Sequence, residues 1–263
     1  MTPARPGVPR DREVALALEL AALARPIVLQ HFRSALAVEA KPDLSPVTVA
    51  DREAEAAMRA AIGLAFPEHG IIGEEYGRER PDAEFVWVLD PIDGTKSFVT
   101  GKPLFGTLIA LTWQGRPVVG VIDMPALGEC WWGADDRGTQ MNGVPVQRRA
   151  CGDLAQAMLY ATTPQMFRGS DEAAFGRLAA RVRHALYGAD CYAYALVAGG
   201  WSDLVVEASL QPYDFCALVP VVEGAGGIMA DWRGRPLTTT SDGRVVACGD
   251  PTLLEPVLAC LAD

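Results

Sequence analysis

Two aspartates, Asp90 and Asp93, lie three residues apart where a short apolar run ends in this 263-residue chain. The apolar run, residues 85–89, is typical of a buried strand. Pro91 fixes its own backbone and Gly94 adds conformational freedom, so we expect the carboxylates on a tight turn rather than in a strand ladder. Carboxylates held this close repel each other unless a cation lies between them. Hard oxygen ligands indicate Mg²⁺ or a similar ion, and a solvated Asp-rich turn is the alternative.

Three further acids occupy strand ends or helix starts, where a metal ligand can be held rigidly. Glu74 follows the apolar residues 71–73, Asp51 lies in the first turn of one expected helix, and Asp214 begins another. Any one of them alone has an ordinary interpretation, and Asp214 by itself fits a helix N-cap. Together with the pair after residue 89 they predict a site for more than one Mg²⁺.

The composition restricts the class of protein. Half of the residues are apolar, which is enough for one large domain or two closely packed ones. A formal net charge of −10 disfavours non-specific binding to nucleic acid or to an anionic membrane. We find no apolar run approaching the roughly 20 residues that span a bilayer, and no apolar segment of a secretory signal in residues 1–10. The six cysteines lack CxxC spacing, so we expect reduced core residues of a cytoplasmic protein.

The elements that must position the acids divide the chain near residue 150. In residues 1–150 we expect a helix over 11–33, ended or kinked by Pro26, a polar Pro-rich loop at 41–46, and a second helix from Thr48, as N-cap, through residue 65. Several strands should form an antiparallel meander flanked by these two helices. They are expected at 71–75, 85–89, 106–113, 117–123, 130–132 and 144–147.

Residues 151–263 alternate strand and helix, which favours layered α/β structure. Strands are expected at 158–162, 203–208 and 245–248, and helices at 171–186, 190–199, 214–224 and from 251 onward. The two halves should pack as sheet layers between helix layers. We therefore expect a cleft between them, closed by the C-terminal half.

Three segments, taken in order, resemble the signatures of the inositol monophosphatase family. They are Gly-Glu-Glu at 73–75, Asp-Pro-Ile-Asp-Gly-Thr-Lys-Ser-Phe at 90–98, and the stretch 213–227. The resemblance extends from about residue 41 to the C-terminus and implies the αβαβα sandwich shared with fructose bisphosphatases. Thr-Lys-Ser-Phe is more similar to the histidinol-phosphate phosphatase branch than to inositol phosphatases, which more often have Thr-Thr-Asn-Phe. Tyr213 before the acid, where tryptophan is commoner, also resembles that branch.

The resemblance implies a metal site for two to three Mg²⁺ ions. Glu74, Asp90 and the carbonyl oxygen of Ile92 would hold one ion. Asp90 would bridge to a second ion, which Asp93 and Asp214 would also bind. A third, weaker ion would lie near Glu74.

The resemblance also implies catalytic and substrate-binding residues. Thr95, hydrogen-bonded to Asp51, would orient the attacking water. The backbone N–H groups of Gly94 and Thr95 would bind the phosphate oxygens. Glu207 and Asp190 would bind the alcohol half of the substrate, although Asp190 alone also fits a helix N-cap. The three histidines lie outside these motifs and are expected in structural or surface positions.

The implied activity is Mg²⁺-dependent hydrolysis of a phosphate monoester by direct attack of water. The implied substrate is L-histidinol phosphate, in histidine biosynthesis. An inositol-1-phosphatase or a broad sugar-phosphate phosphatase of the same family is the alternative, and a non-catalytic regulatory binding protein is a remote one. The resemblance further implies a homodimer that is inhibited by lithium.

Overall fold

The computed structural model describes residues 11–34, 39–40, 46–47 and 49–262. The N-terminal residues 1–10, most of the expected loop at 41–46, and Thr48 with its expected capping role lie outside the described residues. The helices are α1 (Asp11–His31), α2 (Val49–Ala65), α3 (Thr95–Val99), α4 (Ser170–Ala179), α5 (Tyr192–Ala198), α6 (Pro212–Phe215), α7 (Leu218–Gly224) and α8 (Leu254–Leu261). The strands are β1 (Glu39–Ala40), β2 (Pro46–Val47), β3 (Gly70–Gly73), β4 (Gly77–Glu79), β5 (Phe85–Asp93), β6 (Gly106–Trp113), β7 (Arg116–Met124), β8 (Glu129–Ala134), β9 (Gly138–Met141), β10 (Val144–Val146), β11 (Met158–Ala161), β12 (His184–Tyr187), β13 (Leu204–Glu207), β14 (Ile228–Asp231) and β15 (Val245–Cys248).

Two large sheets contain most of the strands. The first has eight strands in the order β10-β9-β8-β7-β6-β5-β3-β4. It is antiparallel from β10 to β5, which confirms the expected meander, and β3 pairs with β5 in parallel. The second sheet has the order β12-β11-β13-β15-β14, with parallel pairs on one side and antiparallel pairs on the other.

Alternating side chains on the central strands bury both faces of each sheet. On β5, Trp87 and Leu89 pack with α1 and α2, whereas Val86 and Val88 point to the opposite face. That opposite face packs against α5 and α7, which also contact the second sheet. Helices α4 and α8 cover the outer face of the second sheet. The order of layers is therefore helix, sheet, helix, sheet, helix, as the family resemblance implies.

The middle helix layer joins the two halves of the chain. The first sheet ends with β10 and the second begins with β11, on either side of the expected boundary at residue 150. The helices α5 and α7 belong to the C-terminal half but pack on both sheets. We keep the division into 1–150 and 151–263, with the second half closing the cleft, as a proposal about the organisation of the chain.

Helix α1 excludes one of the two effects expected of Pro26, since the helix does not end there, and a kink at Pro26 stays a prediction. Pro26 lies inside the helix and does not end it, because the loss of one intrahelical hydrogen bond is opposed by the burial of Ala24 and Val28 on either side. By length and composition alone the helix could cross a membrane, although Glu19 and Arg25 interrupt its apolar runs. Its apolar residues pack against α2 and the first sheet, so α1 is part of the core.

The C-terminal half differs from expectation in three elements. The helix expected over 214–224 is divided into α6 and α7, which are separated by residues 216–217. The helix expected over 171–186 ends at Ala179, because residues 184–187 pair in parallel with β11 and obtain their backbone hydrogen bonds there. The strand β14 was not expected, since glycines at 226, 227 and 234 surround a run of only four residues. It pairs with β15 and completes the edge of the second sheet.

Helix α7 and the residues before it lie directly on the backbone of the first sheet. A Cβ added to Gly120 on β7 would lie 1.9 Å from the carbonyl oxygen of Ala217. A Cβ on Gly133 of β8 would lie 2.2 Å from the carbonyl oxygen of Pro220. Both obstacles are main-chain atoms, so no rotation of a side chain can relieve the overlap.

We expect Gly120→Ala to destabilise the protein by at least about 2 kcal/mol, because the added methyl group forces the middle layer away from the sheet. The matched control is Gly63→Ala on α2, where an added Cβ meets nothing within 4 Å. This control should stabilise the helix by about 0.5–1 kcal/mol. Urea unfolding of both variants measures the difference, and equal stabilities would contradict the close approach.

Candidate active site

The two central aspartates lie within the strand ladder, which corrects the expectation that they follow it. Asp90 is paired with Leu108 and Asp93 with Gly106, so β5 has two residues between them and β6 has one. The extra residue makes a β-bulge between Asp90 and Asp93, and a bulge is a place in a strand where a proline such as Pro91 is tolerated. In a regular strand, residues three apart point to opposite faces, and one extra residue reverses that alternation. The bulge thus lets both carboxylates reach one site.

Carboxylate oxygens gather in two groups that share Asp90. One oxygen each from Asp51, Glu74 and Asp90 lie within 4.8 Å of one another. One oxygen each from Asp90, Asp93 and Asp214 form a second group within the same distance. All four predicted carboxylate ligands are therefore brought together. The carboxylate of Asp51, to which we assigned a different role, joins the first group.

Backbone N–H groups fix the orientation of the second group. Asp93 accepts a hydrogen bond of 2.7 Å from the N–H of Cys191, at the start of α5. Asp214 accepts one of 2.7 Å from the N–H of Gln211 at the start of α6. Asp214 is thus the third residue of that helix and part of a capping box, rather than its N-cap. Two helices of the middle layer begin at this site.

Burial and mutual repulsion both oppose ionisation of the central acids. The pKa of Asp90 is raised well above its ordinary value, first by burial and then by the negative charges of Glu74 and Asp93. The pKa of Asp93 is raised in the same way, by burial and then by Asp190 and Asp214. A divalent cation would reverse these shifts, because its charge favours the ionised carboxylates. The donor set, made only of hard oxygens, fits Mg²⁺.

A buried glutamate that the sequence analysis did not single out holds the turn carrying Glu74. The carboxylate of Glu55, on α2, accepts hydrogen bonds from the N–H groups of Glu75 at 2.7 Å and of Tyr76 at 3.2 Å. Glu55 itself is fully buried. The two accepting oxygens anchor the residues directly after Glu74. Glu55 therefore fixes the backbone position from which the Glu74 side chain extends.

The spacing of charges on α2 could have identified this residue from the sequence. Asp51, Glu55 and Arg59 follow one another at intervals of four, which places them on one face of the helix. The Arg59 guanidinium donates to Glu55 over 2.7 Å and partners its buried charge. A Cβ on Gly73 would lie 2.0 Å from the Glu55 carboxylate, so the glycine before Glu74 is required by this contact.

The turn after the bulge contains the predicted phosphate-binding residues. Gly94 has a φ of 83° and is the N-cap of α3, a conformation that favours glycine. The Thr95 hydroxyl donates to the carbonyl oxygen of Ile92 over 3.2 Å. We expected that hydroxyl to bond to Asp51, and the action of Thr95 through Asp51 stays a prediction.

A cavity of about 150 Å³ adjoins the second carboxylate group. Glu207, at the end of β13, is 3 % exposed and accepts hydrogen bonds from the Thr162 N–H at 2.7 Å and the Tyr194 hydroxyl at 2.9 Å. Burial raises the pKa of Glu207, and these two hydrogen bonds oppose the shift. The residues that line the cavity are Asp93, Thr162, Met166, Asp190, Cys191, Tyr194, Glu207, Leu210, Asp214 and Leu218.

Asp190 lies beside the same cavity and is not a helix N-cap. Helix α5 begins two residues later, at Tyr192, and Asp190 has a φ of 48°. Its carboxylate accepts a hydrogen bond of 3.0 Å from the Ser97 hydroxyl on α3. Burial raises the pKa of Asp190, while the Ser97 hydrogen bond and the charge of Lys102 lower it. Both acids predicted to bind the alcohol half of the substrate therefore line one cavity next to the predicted metal ligands.

Comparisons with known proteins agree with this geometry. A family model described as the inositol monophosphatase family matches residues 10–262. The chain is 46 % identical over 260 residues to a bifunctional phosphatase IMPL2, chloroplastic, of Arabidopsis thaliana, covering 95 % of this chain and 75 % of that protein. It is 38 % identical over 237 residues to a histidinol-phosphatase of Chlorobaculum parvum, covering 89 % and 92 %.

A solved structure of an inositol monophosphatase from Zymomonas mobilis has the same fold. The two chains superpose with a TM-score of 0.88 at 48 % identity, over 95 % of this chain and 97 % of the other. The bulged strand, the Asp90 carboxylate common to both oxygen groups and the five layers are consistent with these matches. This chain belongs to the inositol monophosphatase family.

Proposed function

We propose that this phosphatase of the inositol monophosphatase family hydrolyses L-histidinol phosphate to L-histidinol and phosphate, a step of histidine biosynthesis. The observation that carries the proposal is the acidic cavity beside Asp93 and Asp214, which extends the carboxylate groups toward Asp190 and Glu207. The phosphate end of a substrate would lie at the carboxylate groups and the alcohol end in the cavity.

The proposed metal ligands follow the two carboxylate groups. Glu74, Asp90 and the carbonyl oxygen of Ile92 would hold one Mg²⁺, and Asp90, Asp93 and Asp214 a second, with a third, weaker ion near Glu74. Bound Mg²⁺ would supply Lewis-acid activation of water and would neutralise charge on the phosphoryl group. The grouping of the oxygens around a shared Asp90 supports two adjacent ions.

The residues of the turn would orient the reactants. The Thr95 hydroxyl, acting with Asp51, would hold the attacking water and assist removal of its proton. The N–H groups of Gly94 and Thr95 would bind phosphate oxygens at the beginning of α3. Water forms the new P–O bond as the bond to the alcohol oxygen breaks, so the proposed reaction has no phosphoenzyme.

The choice of substrate rests on charge. Histidinol phosphate carries an ammonium group and an imidazole, and Asp190 and Glu207 would complement them electrostatically. A carboxylate can accept about four hydrogen bonds, so the contacts that Glu207 already makes with Thr162 and Tyr194 leave it able to accept more. The similarity to a histidinol-phosphatase also supports this substrate.

A second candidate is hydrolysis of inositol-1-phosphate or of a broad range of sugar phosphates. The similarity to a bifunctional phosphatase and to an inositol monophosphatase favours it. Carboxylates also accept hydrogen bonds from hydroxyl groups, so the acidic cavity fits a polyol as well. A non-catalytic binding protein is the remote candidate, and Mg²⁺-dependent turnover would eliminate it.

The other properties implied by the resemblance are part of the proposal. We propose a cytoplasmic homodimer that lithium inhibits. Analytical ultracentrifugation of the purified chain tests the oligomeric state, and titration of lithium against phosphate release tests the inhibition.

Phosphate release from histidinol phosphate and from inositol-1-phosphate, each with Mg²⁺ and with EDTA, tests the proposed function. We expect activity that EDTA abolishes, and a kcat/KM about 100-fold higher for histidinol phosphate, which corresponds to about 2.7 kcal/mol of transition-state discrimination. A preference for inositol-1-phosphate would establish the second candidate. Release from neither substrate would contradict both.

We expect Asp93→Asn to abolish Mg²⁺-dependent turnover while the fold persists, because the asparagine oxygen can still accept the Cys191 N–H. Without metal, the variant should unfold at a higher temperature than the wild type, since one of the repelling buried charges is gone. Added Mg²⁺ should stabilise it less than the wild type. The matched control is Asp82→Asn, an exposed acid, which should change neither activity nor stabilisation by Mg²⁺. Near-wild-type turnover of the Asp93 variant would refute its role as a metal ligand.

We expect Glu207→Gln to raise KM for histidinol phosphate about tenfold or more, because the neutral amide cannot pair with a cationic group. The amide can keep hydrogen bonds to Thr162 and Tyr194, so turnover of p-nitrophenyl phosphate should change less. Steady-state kinetics on both substrates makes the comparison. Equal losses on the two would show that Glu207 only supports the cavity wall.

A further inference from the structure

The segment that carries Asp190 is fastened to α3 and the residues after it by two side chains without an assigned role. The Ser97 hydroxyl donates to the Asp190 carboxylate over 3.0 Å. The Lys102 ammonium donates to the carbonyl oxygen of Gly188, two residues earlier. We call Ser97 and Lys102 the clamp. Both lie shortly after the bulge in the sequence, and they contact residues 188–190, which are distant from them in the sequence.

The clamped segment has a backbone that needs such support. Gly188 has a φ of 81° and Asp190 a φ of 48°. The left-handed region is uncommon for residues other than glycine, and an aspartate stays there when its surroundings determine its conformation. Ser97 is 7 % exposed on α3, so its hydroxyl is itself fixed by packing. The strain at Asp190 and the two contacts around it therefore belong to one arrangement.

The Asp190 carboxylate has little free space on the side that faces the turn at Gly94. A Cβ on Gly94 would lie 3.1 Å from the Asp190 oxygen that accepts the Ser97 hydrogen bond. The carboxylate thus lies directly beside the expected phosphate-binding turn, and it also lines the cavity. One of its oxygens is occupied by Ser97, and a carboxylate has capacity to accept from a ligand as well.

We propose that Ser97 and Lys102 are positioning residues that determine substrate specificity by holding the Asp190 carboxylate against the cavity, where it binds a cationic alcohol moiety. This inference rests on the proposed function, because it assigns the recognition of the substrate ammonium to Asp190. Without the Ser97 hydroxyl the carboxylate loses its fixed rotamer. Without Lys102 the backbone before it loses its attachment to the segment that follows α3.

The test is steady-state kinetics of Ser97→Ala, Lys102→Met and Asp190→Asn, and of the double variant Ser97→Ala/Asp190→Asn. Histidinol phosphate, whose alcohol part is cationic, is the test substrate, and p-nitrophenyl phosphate, whose alcohol part is uncharged, is the reference. We expect Ser97→Ala and Lys102→Met each to raise KM for histidinol phosphate about tenfold, with kcat and the kinetics on the reference substrate within about twofold of wild type. In the Asp190→Asn background, Ser97→Ala should add almost no further change.

Two controls separate positioning from general damage. Thr100→Val removes a hydroxyl from the C-terminal end of α3 that, among the described residues, bonds to the carbonyl oxygens of Lys96 and Ser97, and it should leave the kinetics on both substrates unchanged. Lys102→Arg keeps a cationic donor and should restore most of the affinity that Lys102→Met loses. Circular dichroism and melting temperatures of all variants establish that they are folded.

The outcomes for the clamp and for the proposed function are distinguishable. Equal losses on both substrates, or an undiminished effect of Ser97→Ala in the Asp190→Asn background, would overturn the clamp. A wild-type preference for inositol-1-phosphate would overturn the proposed function alone, since the clamp is judged by changes relative to wild type on histidinol phosphate. No turnover of histidinol phosphate by the wild type would overturn both.

Discussion

One extra residue in strand β5 is the constraint on which the site depends. It reverses the alternation of side chains between Asp90 and Asp93, and both carboxylates consequently point to one place. Asp90 and Asp93 are both paired with β6, and the residues before them, as far as Leu89, are also paired with β3, so the backbone does not let the two aspartates move apart. A turn would have allowed the two acids to relax apart. A bulge in a central strand keeps the repulsion in place, and a bound cation would relieve it.

The repulsion at the site is opposed by ordinary packing elsewhere. Two apolar clusters, one on each face of the first sheet, enclose the strand that carries the acids. The middle layer approaches Gly120 and Gly133 closely, so the core is densely packed on the face of the first sheet that carries this layer. Stability and function thus act in opposite directions here, because the geometry that favours a metal ion destabilises the same chain without one.

Much of the site could be predicted from the sequence because its acids lie at the ends of regular elements. The acidic residues that form the two oxygen groups were all identified. The antiparallel meander of the first sheet was also expected from its strand-like runs. The bulge could not be predicted, because Asp-Pro-Ile-Asp-Gly has the composition of a turn and only the pairing with Gly106 shows that the ladder continues. Glu55 was missed because the only sequence signal for it, the four-residue spacing of Asp51, Glu55 and Arg59 on α2, was not used, and its bonds to backbone N–H groups after Glu74 have no signature of their own. Strand β14 was missed because it is a run of only four residues surrounded by glycines, and its pairing with β15 has no local sequence signal.

Adjacent residues of the middle layer contact the proposed metal ligands and line the cavity. The N–H of Cys191 bonds to Asp93, whereas the side chain of the preceding residue, Asp190, bonds to Ser97. A substitution at residue 191 that shifts its backbone would therefore disturb the carboxylate group as well as the cavity. The contacts from α3 and the segment after it, by contrast, reach Asp190 through its side chain and through the carbonyl oxygen of Gly188, and leave the bond to Asp93 in place. Changes in substrate preference within this fold are consequently less costly at Ser97 and Lys102 than at the residues that begin α5.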